Sequence, residues 1–178
     1  MLNLARLSEL IDSAQESIFR LEAQPSYNVT AADRDVARYL AGEGPDMERK
    51  QKWIDVLRAR VARGVQLRHV RVLRLPPSDY DRMVCEWSYP HYIEAGQGIR
   101  IQETDNHLAL RADFYVLDSS VVVGLVYGND GGFVGAVRRD AKTNGNDRAY
   151  ADELWSQAEP FTQWWTAHPE YHRQATAR

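Results

Sequence analysis

The chain has 178 residues, of which 44% are hydrophobic and 26% are charged, and its formal net charge is −3. This length and hydrophobic content favour one domain with a hydrophobic core. The net negative charge argues against binding of nucleic acid through overall charge. The single cysteine, Cys85, excludes an intramolecular disulfide and a cysteine-rich metal site, and it fits a reducing compartment. Neither a signal peptide nor an apolar stretch long enough to cross a membrane is recognisable, so we expect a cytoplasmic protein without membrane association.

The first 22 residues predict one amphipathic helix. Apolar residues recur there at intervals of three and four, which places them on one narrow stripe. The stripe can pack on the chain's own core, or it can form a seam with a second copy or a partner helix, so a homodimer through this helix is one hypothesis. Its members are Leu4, Leu7, Ile11, Ala14, Ile18 and Leu21.

Two further helices are predicted before the first strand. Thr30 has the character of an N-cap, and the helix that it opens would end at Gly42 or Gly44. A third helix starts from Pro45 and ends at Gly64, a residue suited to the left-handed position after a helix. Residues 1–44 would thus form an N-terminal helical segment.

A strand at 65–75, "VQLRHVRVLRL", follows directly and is rich in valine and leucine. Ser78 is placed to cap a fourth helix, which Pro90 would bend or interrupt. Short apolar segments separated by turn residues then predict further strands. These segments are "GIRIQE", "DFYVLD", "VVVGLVYG" and "GFVGAVRRD".

The C-terminal part predicts a loop, a helix and a tail. "KTNGN" is expected to be a loop, and a helix from about residue 147 to 165 would carry Leu154, Ala158, Phe161 and Trp165 on one face, with a kink at Pro160. Residues 168–178 have little to bury and are expected to be flexible. The order of elements predicts a single α/β domain over 1–167, a mixed β-sheet flanked by helices.

Three polar residues around the third predicted strand have a suggestive spacing, Arg111-x-Asp113-x-x-x-x-Asp118. Phospholipase-D-type phosphodiesterases carry His-x-Lys-x-x-x-x-Asp at this spacing. Here a guanidinium, which has no nucleophilic lone pair, replaces the histidine, and a carboxylate that would repel phosphate replaces the lysine. The residues could instead be a strand start, an Asx turn and a solvated neighbour, or a site for a ligand or partner.

A second polar cluster lies at the start of the fourth helix. Asp79, Arg82 and Glu86 have the spacing of surface salt bridges on one helix face, with Tyr80 beside them. The alternative hypothesis is one concave, charged surface, shared with Arg111 and Asp113, that binds a ligand or a protein partner.

Other polar residues indicate no cofactor. Six arginines fall within residues 58–74, but strand alternation divides those of the strand between its two faces, so no direct binding of nucleic acid is expected. The histidines lack metal-ligand spacing with one another, and no glycine-rich phosphate loop follows the first predicted strand. We therefore predict no metal and no cofactor.

Several segments together resemble an actinobacterial family whose domain has no known function. They are "ESIFRLEAQPSYNV", "RYLAGE", "WIDVLRARVARGVQLRHVRVL", "PPSDYDRMVCEW", "AGQGIR" and "DFYVLDSSVVV". Genes of that family typically lie beside small helix-turn-helix regulators of the kind linked to Streptomyces development. The family is similar to a single phospholipase-D-like half without the catalytic His and Lys, here with an N-terminal helical extension.

The resemblance implies a non-enzymatic accessory or signal-sensing protein that works with a small helix-turn-helix transcriptional regulator. Residues Asp113, Phe114, Tyr115 and Asp118 match the family's strand, and Ser78, Asp79 and Tyr80 match its helix start. Two alternatives stay open. One is a degenerate phosphodiesterase or nuclease that is active only as a dimer, and the other is a toxin-like effector of a regulator-linked gene cluster.

Overall fold

The computed structural model of the chain describes residues 1–24, 27, 30–105, 112–139 and 141–173, with the backbone alone at 30–32 and 141–144. In these ranges a seven-stranded mixed sheet is flanked by helices, which confirms the predicted α/β class. The helices are α1 (Leu4–Asp12), α2 (Thr30–Leu40), α3 (Met47–Ala62), α4 (Asp79–Trp87), α5 (Tyr89–Glu94), α6 (Ala141–Gln157) and α7 (Phe161–Ala167). The strands are β1 (Ser17–Glu22), β2 (Gln66–Leu73), β3 (Gly98–Glu103), β4 (Phe114–Leu117), β5 (Val121–Tyr127), β6 (Phe133–Arg138) and β7 (Glu159–Pro160).

The sheet combines a parallel centre with antiparallel flanks, in the order β6-β5-β4-β1-β2-β3-β7. Strands β1, β2 and β3 are mutually parallel, whereas β4, β5, β6 and β7 pair antiparallel with their neighbours. Because β4 runs against β1, the start of β4 lies at the same sheet edge as the ends of β1 and β2. Polar residues at these three positions can therefore meet.

Helices cover both faces of the sheet, and strand alternation decides which residues they meet. On the first face, here called the α3 face, Ile18 of β1 packs with Ile54 and Leu57 of α3. On the opposite face, Phe19 and Leu21 of β1 pack with α6. Alternation places Arg20 and Glu22, which are two and four residues after Ile18, on the α3 face as well.

The predicted helix boundaries agree with local chemistry. Gly42 and Gly64 have φ values of +80° and +87°, the left-handed conformation expected after α2 and α3. The Ser78 side chain accepts a hydrogen bond from the Asp81 N–H and thus caps α4. Pro90 separates α4 from α5 and lies in the first turn of the latter, where its missing N–H costs no helical hydrogen bond.

The prediction of one long opening helix is wrong. Helix α1 ends at Asp12, and residues 17–22 form β1, which lies between β4 and β2 at the centre of the sheet. Ile18 and Leu21 continue the helical spacing of the stripe, but they are buried as members of a strand. Pairing with β4 and β2 satisfies the backbone hydrogen-bonding groups of this segment. This stabilisation outweighs the helical spacing of its apolar residues.

The remaining stripe residues of the N-terminal segment pack against the chain's own core. Leu7, Ile11 and Ala14 are buried in one cluster with residues of α3 and the sheet. This confirms the first of the two alternatives for these three residues. Leu4 is 67% exposed, and a homodimer through α1 stays a prediction.

The C-terminal region departs from its prediction in two places. Residues 141–146, which include the expected "KTNGN" loop, belong to α6. The predicted single kinked helix is divided, because β7 pairs with β3 at residues 159–160 before α7 begins at Phe161. Pro160 lacks an N–H and cannot continue a helix, but it is tolerated in an edge strand. Trp164 of α7 is buried to 1% exposure.

Candidate functional site

Asp113, which stands where the phosphodiesterase lysine would be, is fully buried, with 0% exposure. Its Oδ1 accepts hydrogen bonds from the backbone N–H groups of Ala23, at 2.7 Å, and Gln24, at 3.0 Å. Its Oδ2 accepts from the hydroxyls of Tyr27, at 2.7 Å, and Tyr127, at 3.1 Å. These four donors occupy both oxygens. Contrary to the expectation, Asp113 does not line a surface.

Asp118 lies at the other end of β4 and serves a different segment. Its carboxylate accepts hydrogen bonds from the backbone N–H groups of Gln15, Glu16 and Ser17, at 2.8–3.1 Å. Burial opposes ionisation, but these backbone donors lower the pKa of Asp118 below its ordinary value. Asp118 thus orders the approach to β1 from across the sheet. Arg111 lies outside the described residues.

The polar cluster on α4 contacts the C-terminal residues of the chain. Arg82 Nη1 is 3.5 Å from Asp79 Oδ1, and Arg82 Nε donates to the Tyr171 carbonyl at 2.9 Å. Glu86 Oε1 pairs with Arg173 Nη2 at 3.2 Å. The structure therefore joins Arg82 and Glu86 to residues 171–173, and it does not bring them together with Asp113.

The same C-terminal residues also reach α2. Arg173 Nη1 donates to the carbonyls of Tyr39, at 3.1 Å, and Glu43, at 2.7 Å. Its guanidinium lies over the Tyr39 ring, 4.9 Å from the centroid. Residues 168–173, which were expected to be flexible, thus carry specific contacts that join α2 to α4. Residues 174–178 lie outside the described ranges.

The charged residue of α4 that pairs with the sheet is Asp81, which the sequence prediction missed. Asp81 Oδ1 accepts from Arg71 Nη2 at 2.7 Å and from Arg71 Nε at 3.1 Å, and both side chains are buried. Arg71 Nη1 donates to the Gln24 carbonyl, and it is 3.3 Å from the Tyr27 hydroxyl that in turn binds Asp113. One continuous network therefore joins α4, β2 and the start of β4.

A polar space lies between the α3 face of the sheet and the helices that surround it. This space, here called the polar cavity, has a volume of about 370 Å³, within the usual range for small-molecule sites, ~300–1,000 Å³. Strand register places Tyr115, Arg20 and His69 side by side on β4, β1 and β2. The cavity is lined by Arg20, Glu22, Asp35, Arg49, Lys50, Trp53, His69, Tyr80, Met83, Val84, Ser88, Tyr89, Tyr92 and Gln97.

The floor of the polar cavity carries an ionic cluster. Arg20 forms an ion pair with Glu22, and His69 Nε2 lies 2.8 Å from Glu22 Oε2, although not in the alignment of a hydrogen bond. Burial by itself would raise the pKa of Glu22, but the charges of Arg20, His69 and Arg71 lower it well below its ordinary value. Glu22 is therefore an anion that holds these groups in place.

The opposite wall carries two more cations, which differ in their partners. Arg49 forms an ion pair with the buried carboxylate of Asp35. Lys50 Nζ donates to Ser88 Oγ at 2.7 Å, and no carboxylate among the described residues lies within ion-pair distance of it. Burial lowers the pKa of Lys50. The cavity thus holds a half-buried ammonium group whose charge is not balanced by a direct ion pair.

Three tyrosines complete the polar lining. Tyr80, Tyr89 and Tyr92 all have pKa values raised above the ordinary range, mainly because burial disfavours the phenolate. They therefore present neutral rings and hydroxyls that can donate hydrogen bonds. Of the described residues that were predicted as a ligand or partner site, Tyr80 alone lines this cavity.

The described residues contain no candidate metal site, no candidate membrane-spanning helix and no reactive thiol. Within them, no group of three or more His, Cys, Asp or Glu side chains could hold a metal ion. None of the described helices combines the length and apolar character needed to cross a membrane. Cys85 is buried, and burial raises the pKa of its thiol, which leaves little thiolate for nucleophilic attack.

One sequence pattern indicates the polar cavity, although the sequence analysis did not recognise it. Arg20 and Glu22 alternate with Phe19 and Leu21 in β1, and His69 and Arg71 alternate with Val70 and Val72 in β2. Charged residues with a period of two inside otherwise apolar central strands point to one buried polar face. The contributions of Lys50 and Tyr92 depend on how α3 and α5 pack, which this pattern does not contain.

Comparison with known proteins gives a family and no function. Residues 5–166 match the family described as "Domain of unknown function (DUF6879)", so the chain belongs to this family. No curated protein matches the chain significantly. The family assignment agrees with the predicted membership in a family of unknown function.

Proposed function

We propose that this member of the DUF6879 family is a non-enzymatic, signal-sensing accessory protein that binds a small anionic ligand in the polar cavity. The observation that carries the proposal is Lys50, a half-buried cation that donates to a hydroxyl and has no carboxylate partner in the described part of the chain. A bound anion would supply the missing countercharge in a partly desolvated space, where charge-assisted hydrogen bonds are strong.

The charge balance of the polar cavity supports an anion. Apart from His69, which would add to the positive side if protonated, the lining contributes three positive charges, from Arg20, Arg49 and Lys50, and two negative charges, from Glu22 and Asp35. Because the two carboxylates already pair with the two arginines, the excess charge belongs to Lys50. The neutral tyrosine hydroxyls add donors for ligand oxygens.

The same proposal assigns a structural role to the phosphodiesterase-like spacing. Asp113 has its oxygens occupied by four donors from the chain itself, so it is not available to a substrate. This supports a scaffold that is similar to a phospholipase-D-like half but does not hydrolyse phosphodiesters. Metal-independent hydrolysis of a generic phosphodiester by the purified chain would overturn the proposal and favour the degenerate-enzyme alternative.

The proposed partner is a small helix-turn-helix regulator, as the resemblance to regulator-linked genes implies. A cytoplasmic location follows from that role. The arginines of β2 lie on both faces of the sheet and already have carboxylate partners, since Arg71 is buried against Asp81 and Arg68 pairs with Asp152. This supports a protein–protein contact over direct DNA binding. Ligand occupancy of the polar cavity would then change the affinity for the regulator.

The test measures association with the helix-turn-helix protein encoded beside the gene, by calorimetry, for the wild type, Lys50→Met and Asp79→Ala. We expect the wild type and Asp79→Ala to bind the regulator alike and to bind small anions such as acetate or inorganic phosphate. Lys50→Met should lose the anion response and alter regulator binding. If neither the regulator nor any anion binds the folded wild type, the proposal is wrong.

A further inference from the structure

A second cavity adjoins the polar cavity on the α3 face. This space, here called the apolar cavity, has a volume of about 190 Å³ and lies between α1, α3 and the sheet. Arg20, Trp53 and Gln97 line both cavities, so the two spaces meet at these residues. The apolar side is formed by α1 and α3 side chains such as Leu7 and Leu57.

Arg20 marks the junction of the two cavities. Its guanidinium pairs with Glu22 toward the polar cavity, and it lies over the ring of Tyr115, 5.5 Å from the centroid, toward the apolar cavity. Its Nε is buried and has no hydrogen-bond partner among the residues that the structure describes. The Arg20 side chain as a whole is 29% exposed and lines both cavities. The positive charge of its guanidinium can therefore attract an oxyanion at the boundary.

Two exposed apolar side chains flank the apolar cavity. Trp53 on α3 is 40% exposed, and Leu4 on α1 is 67% exposed; both line the cavity. A compact inorganic anion on Lys50 would leave this space unfilled and these surfaces in water. A ligand with an aliphatic part would cover them and gain hydrophobic and dispersion energy.

We propose that the two cavities together bind one amphipathic oxyanion, whose carboxylate or phosphate head contacts Lys50 and Arg20 and whose aliphatic tail occupies the apolar cavity past Trp53. This inference rests on the proposed function, because it uses the same polar cavity, and it adds the chemical class of the ligand. Charge complementarity fixes the head at Lys50, and the continuity of the two spaces at Trp53 and Gln97 fixes the direction of the tail.

The experiment compares acetate with octanoate, and inorganic phosphate with octyl phosphate, by calorimetric or NMR titration of the full chain below the critical micelle concentration of each amphiphile. Octanoate and octyl phosphate should bind more tightly than their short counterparts, by up to about fourfold for each methylene that is buried. The two head groups, compared at equal tail length, distinguish a carboxylate from a phosphate ligand.

Two substitutions separate head from tail. Lys50→Met should weaken all four ligands, whereas Leu4→Glu should reduce the gain from the tail and leave acetate unchanged. Val134→Glu is the matched control, because Val134 is also an exposed apolar residue, at 55% exposure, on β6. It should bind every ligand as the wild type does, and the melting temperature of each variant verifies folding.

The outcomes separate the two proposals. If long and short ligands bind equally and both need Lys50, the amphipathic inference is overturned while the anion-binding function stands. If octanoate binds but Lys50→Met and Lys50→Gln have no effect, the head is misplaced and the inference also fails. If no oxyanion binds at any chain length, the proposed function itself is wrong.

Discussion

Asp113 and Asp118 lie at the two ends of β4, and each carboxylate accepts hydrogen bonds from the chain itself. Asp113 binds the end of β1 and two tyrosines, whereas Asp118 binds the segment that leads into β1. The two carboxylates of the phosphodiesterase-like spacing thus hold both ends of β4 to the segments that flank β1. At the residue scale, these carboxylates stabilise the fold, and the unbalanced charge of Lys50 is the basis of the ligand binding that we propose.

Replacing Asp113 with alanine should destabilise the fold severely. The change leaves two backbone N–H groups and two tyrosine hydroxyls without their acceptor in a buried site, and we expect a loss of about 3–5 kcal/mol in the free energy of unfolding. Urea denaturation measures it. Asp79→Ala, an exposed carboxylate on α4, is the control and should cost less than ~1 kcal/mol. Equal effects of the two substitutions would contradict the assigned role of Asp113.

Asp118→Asn should cost stability at neutral pH and much less in acid. Asn tolerates the positive φ of this position, +49°, but it lacks the charge that three backbone donors stabilise, so a loss of about 2 kcal/mol is expected. Because the folded-state pKa of Asp118 is lowered, its contribution is complete above the unfolded-state pKa of ~3.9 and disappears as the pH falls through the folded-state value. Urea denaturation of wild type and variant at several pH values measures this. A difference independent of pH would contradict it.

At the scale of elements, α4 is held on two sides. Toward the sheet, Asp81 pairs with Arg71 of β2. Toward the outside, Arg82 and Glu86 bind residues 171–173, which also contact α2. Because α4 and α2 both line the polar cavity, these contacts help to fix the shape of the proposed ligand site.

The Arg71–Asp81 pair should behave as a coupled unit. Arg71→Met leaves a buried carboxylate unpaired, and we expect a loss of about 3–5 kcal/mol in unfolding free energy. Adding Asp81→Leu removes that carboxylate and should restore part of the loss. A double-mutant cycle by chemical denaturation should give a coupling energy above ~1 kcal/mol. Additive effects within error would show that the two residues act independently.

Arg173→Ala should loosen α2 without unfolding the domain. The substitution removes the guanidinium that binds the Tyr39 and Glu43 carbonyls and Glu86, so local opening of α2 should require less free energy. Hydrogen exchange should quicken in α2 and stay unchanged in α6. Arg63→Ala, at an exposed position after α3, is the control. Unchanged exchange in α2 would mean that the C-terminal contacts carry no stability.

Sequence patterns predicted most elements, because their signals are local. The glycines after α2 and α3, Ser78 before α4 and Pro90 in the first turn of α5 each act within one turn. The failures were non-local: β1 has a helical spacing of apolar residues, and only its position between β4 and β2 makes it a strand. The cavity was missed for the same reason, since Lys50 and His69 share no sequence motif and line one space only through tertiary packing.

At the scale of the whole molecule, the α3 face of the sheet is divided into three zones. An apolar cluster with α1 and α3 lies at one end, and the Arg71–Asp81 network lies at the other. Between them the polar cavity places Arg20, His69 and Lys50 around one space, open to the apolar cavity at Trp53. The fold thus separates the groups that hold it together from the groups that we propose to bind a ligand.

NMR titration can distinguish the polar cavity from the Asp113 position as the proposed functional site. Backbone amide shifts of the isotope-labelled chain would be followed during titration with octyl phosphate. We expect saturable changes centred on Arg20, Lys50, His69 and Tyr92 that are lost in Lys50→Met. Saturable changes confined to the ends of β4 at Asp113 and Asp118, unaffected by Lys50→Met, would contradict this expectation.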